Sequence, residues 1–309
     1  MIRKIIFKKT NLKPFICTAI FSLLLSSSFA QKEVDFRLNL EEGMCFEEQT
    51  TALSKGTVST GKEDKENIHE AITVTQYRVV KKTPAFYTLN FMHTDYYVKM
   101  TGVNEFTIDP KTADKLNILN GSTQISMIMN KPFFADLSPK GKVLAVKKNK
   151  AIEKEFKTKT KKLSPALREQ VYLIVNSFTS NESLVGNIEG WTSYIPPSAV
   201  KIGDKWSVQK DSAVTEYTFV AETDSTYIIE GVGSMEETKT NEMQGIVMII
   251  HREGEFTVAI EVDKHTFLPK TITQEMEMLG TVEMPSYPAA SRPPSRSNAT
   301  LTWKIRSCN

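Results

Sequence analysis

Apolar residues recur at every second position along much of this 309-residue chain. Val34, Phe36, Leu38 and Leu40 alternate with charged or polar neighbours, and Glu41-Glu42-Gly43 supplies a turn before Met44 and Phe46 resume. That pattern predicts a half-buried strand and a hairpin. Runs rich in β-branched and aromatic residues follow at 71–80, 86–91, 96–100 and 106–108. The links between them are too short for helical crossovers, so antiparallel pairing is expected. The polar, Gly- and Lys-bearing stretch 54–67 reads as a long exposed loop. Further on, Ser138-Pro139-Lys140-Gly141 joins 133–137 to 142–146. Proline at the second position presets φ, and Ser first with Gly last fits a type I turn.

The period then changes from two to about 3.6 between 149 and 190. Ser164 is placed to cap, Pro165 occupies the first helical position, and Leu167, Val171, Ile174, Val175 and Phe178 share a face. Leu184, Val185, Ile188 and Trp191 extend the pattern as a second short helix, which Pro196-Pro197 ends. Strand patterns return at 216–221, 227–232, 246–250, 256–262 and 271–278, and Asp263-Lys264-His265-Thr266 reads as a turn. Four prolines make 285–297 an extended loop before a last strand carrying Leu301, Trp303 and Ile305. The expected fold is mainly β, a β-rich α+β architecture: an antiparallel sheet, either a curved half-barrel or a barrel, with a central helical insert.

The first thirty residues stand apart. Arg3, Lys4, Lys8, Lys9 and Lys13 precede an uncharged run from Phe15 to Leu25, and Ser28 and Ala30 are the small residues a signal peptidase pocket accepts. The apolar run is well short of the roughly 20 residues that span a bilayer. Residues 1–30 therefore read as a signal peptide cleaved after Ala30, leaving one β-rich domain over 31–309 that is periplasmic or secreted. Cys17 lies in the apolar run, but Pro14, Phe15 and Ile16 do not offer the Leu-small-small pattern of lipidation. Five of the 39 Lys and Arg fall in this leader and none of the 36 Asp and Glu, so residues 31–309 carry 34 basic against 36 acidic side chains. No overall positive field remains to draw nucleic acid to the surface.

Candidate chemistry is sparse. His69, His93, His251 and His265 are scattered without metal-ligand spacing. Gly231-Val232-Gly233 opens like a dinucleotide loop, but Glu236 stands where the third glycine belongs and no helical pattern follows, so a strand-end turn is expected. No catalytic, cofactor-binding or metal-binding residue is assigned. A lysine-rich run from Lys147 to Lys162, relieved by Glu153 and Glu155, is either a solvated helix face over inward Ile152, Phe156 and Leu163 or a dock for an anionic surface. Met127 with Met129, and Met276 with Met278, are pairs two apart on expected strands, read as core filling or as an adaptable apolar pocket.

Leu137-Ser138-Pro139-Lys140-Gly141-Lys142-Val143, the helical stretch ending in Tyr194-Ile195-Pro196-Pro197, and Val200-Lys201-Ile202-Gly203-Asp204-Lys205-Trp206 resemble the pattern of a family of exported bacterial proteins, domain of unknown function 6263. The resemblance implies export and a β-rich fold with a helical middle, and carries no activity or catalytic residues with it. Physically, Gly203-Asp204 is a tight-turn dipeptide, and the Trp206 ring is expected to plug the core beside the insert.

The function expected is a non-enzymatic envelope protein that binds or has a structural role, its sharper form a carrier of an apolar small molecule or lipid, by analogy of layout with half-barrel carriers. The alternative is a protein-interaction module using strand edges and the 285–297 loop, with another envelope protein as partner. An unrecognised hydrolase is third. Once Cys17 leaves with the leader, Cys45 and Cys308 remain in a compartment that permits oxidation, and a disulfide between them is expected to bring the terminal strands together.

Overall fold

The computed structural model describes residues 32–59, 64–102, 105–114, 117–243, 246–283, 285 and 292–308. Residues 1–30, read above as a signal peptide and holding Cys17, lie outside the described residues. Twelve strands form one antiparallel sheet: β1 (Cys45–Ser59), β2 (Asp64–Lys82), β3 (Tyr87–Thr101), β4 (Phe106–Ile108), β5 (Phe133–Leu137), β6 (Val143–Lys147), β7 (Lys205–Lys210), β8 (Ala213–Glu222), β9 (Thr226–Met243), β10 (Ile246–Asp263), β11 (Pro269–Glu283) and β12 (Arg292–Ser307). Four α-helices accompany it: α1 (Gly121–Ser126), α2 (Lys150–Thr160), α3 (Pro165–Thr179) and α4 (Asn181–Thr192).

The strand order is β6-β5-β3-β2-β1-β12-β11-β10-β9-β8-β7, with β4 beside β3. The sheet is open, with β6 and β7 at opposite edges, so it is not the closed barrel that was one expectation. This order explains the helical middle. The chain builds outward from β1 to β6, must cross to the far edge to begin β7, and then builds inward until β12 meets β1. α2, α3 and α4 make that crossing over one face of the sheet. β1 and β12 pair from Phe46 opposite Ser307 to Gly56 opposite Ser297, joining both halves. Cys45 and Cys308, one step beyond, are linked by a disulfide with Cα atoms 5.4 Å apart.

The core sits between this sheet face and the helices. Phe46, Tyr77, Phe91 and Phe133 lie directly opposite one another on β1, β2, β3 and β5. Their rings stack with centroids 5.0, 5.6 and 5.5 Å apart, and Trp191 of α4 meets Phe46 edge-on at 5.7 Å. Such cross-strand aromatic pairs fix register as well as burying area. On α3 the buried stripe is Val171 and Val175; Ile174, expected on that face, is 40 % exposed.

Several expectations are corrected. Residues 33–40 are extended and bury Val34, Phe36, Leu38 and Leu40, but make only an isolated bridge, Val34 to Val200, and no hairpin with β1. Their other backbone bonds go to Pro139 and Thr266, so the segment is a strap through the core. Alternation reports one buried face and does not name the partner. Residues 54–59 and 64–67 are strand and not loop: β1 runs to Ser59 and β2 starts at Asp64, and their side chains from 54 to 57 and 65 to 67 are half-buried or exposed, so no apolar alternation marks them. The breaks expected at 92–95 and 251–255 are strand interior, the first carrying a bulge opposite the Val74–Thr75 step of β2. Met127 and Met129 follow helix α1 and are not on a strand. Residues 292–297 belong to β12, its prolines lying next to an irregularity opposite Gly280 and Val282 where missing N–H groups cost least. That part of the expected interaction loop is therefore paired with β11.

Candidate functional site

Beside the C-terminal end of α4 the helix cover stops, and the helix-bearing face of β7–β12 forms a cleft of about 380 Å³. Its floor is Phe256, Val258 and Ile260 of β10 with Ile272 of β11 and Trp303 of β12; Tyr217, Met235 and Tyr194 form the walls. Gly190, Lys210, Asp211 and Glu237 also line it. The volume falls at the lower end of the range for small-molecule sites, and the apolar floor is ringed by polar side chains that include Ser193, Thr215 and Gln274.

Gly231 and Gly233 shape this floor. The expected strand-end turn is absent: both lie inside β9, opposite Val258 and Phe256 of β10 and Tyr217 and Thr215 of β8. A Cβ on Gly233 would stand 2.3 Å from Phe256 Cζ, and one on Gly231 2.9 Å from Tyr217 Cδ1. The glycines let two aromatic rings lie down over the β9 backbone, which is a close-approach use of glycine and not a nucleotide loop.

The family-like motif anchors the wall. Gly203 adopts φ +94°, which favours glycine, and its N–H donates to Phe219 O at 2.7 Å. Asp204 Oδ2 accepts from Lys201 N at 3.0 Å, closing the turn before β7. Trp206 is buried, donates from Nε1 to Tyr194 O at 3.0 Å and stacks on Tyr217 at 5.8 Å. Tyr194 Oη donates to Phe267 O at 2.6 Å. At the same C-terminal end of α4, the Ser138-Pro139-Lys140-Gly141 turn closes with Gly141 N to Ser138 O at 2.9 Å, and Ser138 Oγ accepts from Lys142 N. Gly141 has φ +76° and receives Thr192 Oγ1 on its carbonyl at 2.7 Å; a Cβ there would lie 2.6 Å from Thr192 Cβ. The motif residues thus hold α4 between the two β halves.

A second group, missed in the sequence, is polar and enclosed in the core. Glu48 Oε2 accepts from Tyr77 Oη at 2.8 Å and Oε1 from Thr50 Oγ1 at 3.1 Å. Burial pushes the Glu48 carboxyl up to about 7, against which the Tyr77 hydrogen bond pulls down, and burial lowers His93 to about 4. His93 Nδ1 lies 3.0 Å from Thr75 Oγ1. Glu48 and His93 have separate partners and do not form a dyad. A lone Glu in an alternating strand gives no sequence signal for this, since exposed positions look the same. Among the described residues, no group of three His, Cys, Asp or Glu is placed to hold a metal ion. No helix of the described residues is long and apolar enough to cross a membrane.

The family of unknown function DUF6263 matches residues 84–269, more than half of the chain, and the protein belongs to it. No curated protein matches significantly. Among solved structures, a lipovitellin described for its lipid–protein interactions is similar at TM-score 0.44 and 12% identity over 88% of this chain and 26% of that one, so this chain spans about a quarter of it. DynF from the dynemicin biosynthesis pathway of Micromonospora chersina is similar at TM-score 0.23 and 3% identity, over 88% and 84%. An outer membrane channel from Pseudomonas putida F1 gives TM-score 0.23 and 7% identity, over 88% and 98%. Likenesses at these scores carry no argument about this chain.

Proposed function

We propose that the mature protein is an exported, non-catalytic component of the bacterial envelope that binds an apolar small molecule or lipid in the cleft beside α4. The observation that carries this reading is the cleft itself: about 380 Å³ between Tyr194, Tyr217, Phe256, Val258, Ile272 and Trp303, left open where helix cover ends. Apolar surface of this kind is costly to leave to water, so a ligand that removes it from solvent gains binding energy. The leader-like residues 1–30 support export, and the Cys45–Cys308 bond suits an oxidising compartment.

Gly190 makes the reading testable. It lines the cleft, and a Cβ there meets nothing within 4 Å, so Gly190→Phe starts a ring into the cleft from an unobstructed position. The full mature protein is titrated with N-phenyl-1-naphthylamine, following probe fluorescence and quenching of tryptophan emission. Saturable binding that weakens about tenfold or more in Gly190→Phe, at unchanged melting temperature, is expected; that loss corresponds to at least about 1.4 kcal/mol. No saturable binding by the wild type, or equal binding by both proteins, overturns it.

A further inference from the structure

On the helices that cross the sheet, charge and exposed apolar surface meet. The segment 147–162 carries eight lysines and two glutamates, whereas the rest of residues 31–309 has 26 basic against 34 acidic side chains. The positive charge is therefore gathered on one element of an otherwise acidic chain. Lys159 and Lys131 pair with Glu155, but Lys150, Lys154, Lys157 and Lys161 are exposed, follow one another at i, i+4, i+7 and i+11, and have no carboxylate within ion-pair distance among the described residues. Ile152 and Thr160 are buried on the other side of α2, so this stripe looks outward.

The adjoining helix is exposed in an unusual way. Tyr172, Leu173 and Ile174 of α3 are large apolar or aromatic residues, yet 44 %, 59 % and 40 % exposed. Val171 and Val175 already supply the contact of α3 with the core, so the three are not needed there. Phe156 of α2 meets the Tyr172 ring at 5.9 Å, and Lys157 and Tyr172 line the same groove of about 220 Å³ between the two helices. Lys157 of the stripe thus meets the exposed side of α3 at Tyr172, next to Leu173.

We infer that the α2–α3 hairpin docks the protein on an anionic phospholipid surface. The lysines engage the headgroups while Leu173, Ile174 and Tyr172 enter the shallow interface, the division of labour of interfacial helices. Charge complementarity selects this occupant: a stripe of unpaired lysines next to aliphatic side chains suits a surface that is negative outside and apolar beneath. The inference stands apart from the cleft, since docking requires no ligand there.

The test is co-sedimentation of the full mature protein with vesicles of phosphatidylcholine alone, or containing about a third phosphatidylglycerol, at about 0.05 M and 0.5 M NaCl. Binding is expected on the anionic vesicles only, and weakly at high salt. A lysine near such a surface contributes roughly fivefold in partition, so Lys154→Glu/Lys157→Glu/Lys161→Glu should lose about a hundredfold or more. Leu173→Ser/Ile174→Ser, with folding checked by melting temperature, should weaken binding about tenfold at low salt. Equal partition onto both vesicle types, no partition, or wild-type binding by either variant overturns the inference. So does equally tight, salt-sensitive binding to a DNA duplex. Retained probe binding in the lysine variant would show that the cleft reading and this one fail separately.

Discussion

Glu48 offers the sharpest test of the core. Its folded pKa of about 7 lies above the ordinary 4.5, so between those values the native state keeps a proton that the unfolded state releases. Stability therefore falls as pH rises through this window, and the loss is complete above about 7. A gap of about 2.5 units corresponds to about 3 kcal/mol at 1.36 kcal/mol per unit. His93 acts in the opposite sense: its pKa drops from 6.5 to about 4, the unfolded state takes up the proton first, and stability is lost as pH falls from 6.5 toward 4. Between pH 4.5 and 6.5 the two slopes nearly cancel, which hides both in the wild type. Glu48→Gln keeps the shape and still accepts from Tyr77 while removing the titration. Its amide adds a pH-independent offset, so the slope is what is read. Urea unfolding of both proteins from pH 4.5 to 7.5 should show the variant gaining about 3 kcal/mol relative to wild type as pH rises. A stability difference constant to within about 0.5 kcal/mol across that range would refute an enclosed, neutral Glu48.

Replacing both Cys45 and Cys308 by Ala, at a sequence separation of 263, should cost about 2–5 kcal/mol in urea melts; the loop-entropy formula sets an upper value near 6 kcal/mol, and a variant as stable as wild type in oxidising buffer would show the bond contributes nothing. Trp206→Ala removes a buried ring stacked on Tyr217 together with its bond to Tyr194 O, for an expected loss of roughly 3–5 kcal/mol; an equal melting temperature would contradict that packing. Gly233→Ala puts a methyl 2.3 Å from the Phe256 ring and should cost about 1–3 kcal/mol while disturbing probe binding, and a neutral result would mean the ring is free to move.

The sequence by itself was enough for several features that depend on neighbours along the chain. The 138–141 turn, the cap at Ser164, β4 at Phe106–Ile108 and the alternation at 256–262 all came from local chemistry that leaves few alternatives. The pairing of Cys45 with Cys308 was accessible for a different reason, since setting Cys17 aside with the leader-like residues leaves two cysteines and a single bond. Tertiary structure decided the rest, because alternation tells which side of a segment is buried but not what buries it. Phe36 and Leu38 alternate like strand residues and yet lie in a strap; Gly231 and Gly233 look like a turn until Tyr217 and Phe256 are seen lying over them. The same limit hid the cleft and Glu48. Phe256 and Trp303 are 47 positions apart, and Glu48 meets Tyr77 only because β1 and β2 pair in one particular register. Where the helices stop covering the sheet is set by the length of the crossing from β6 to β7, and no residue pattern marks that point.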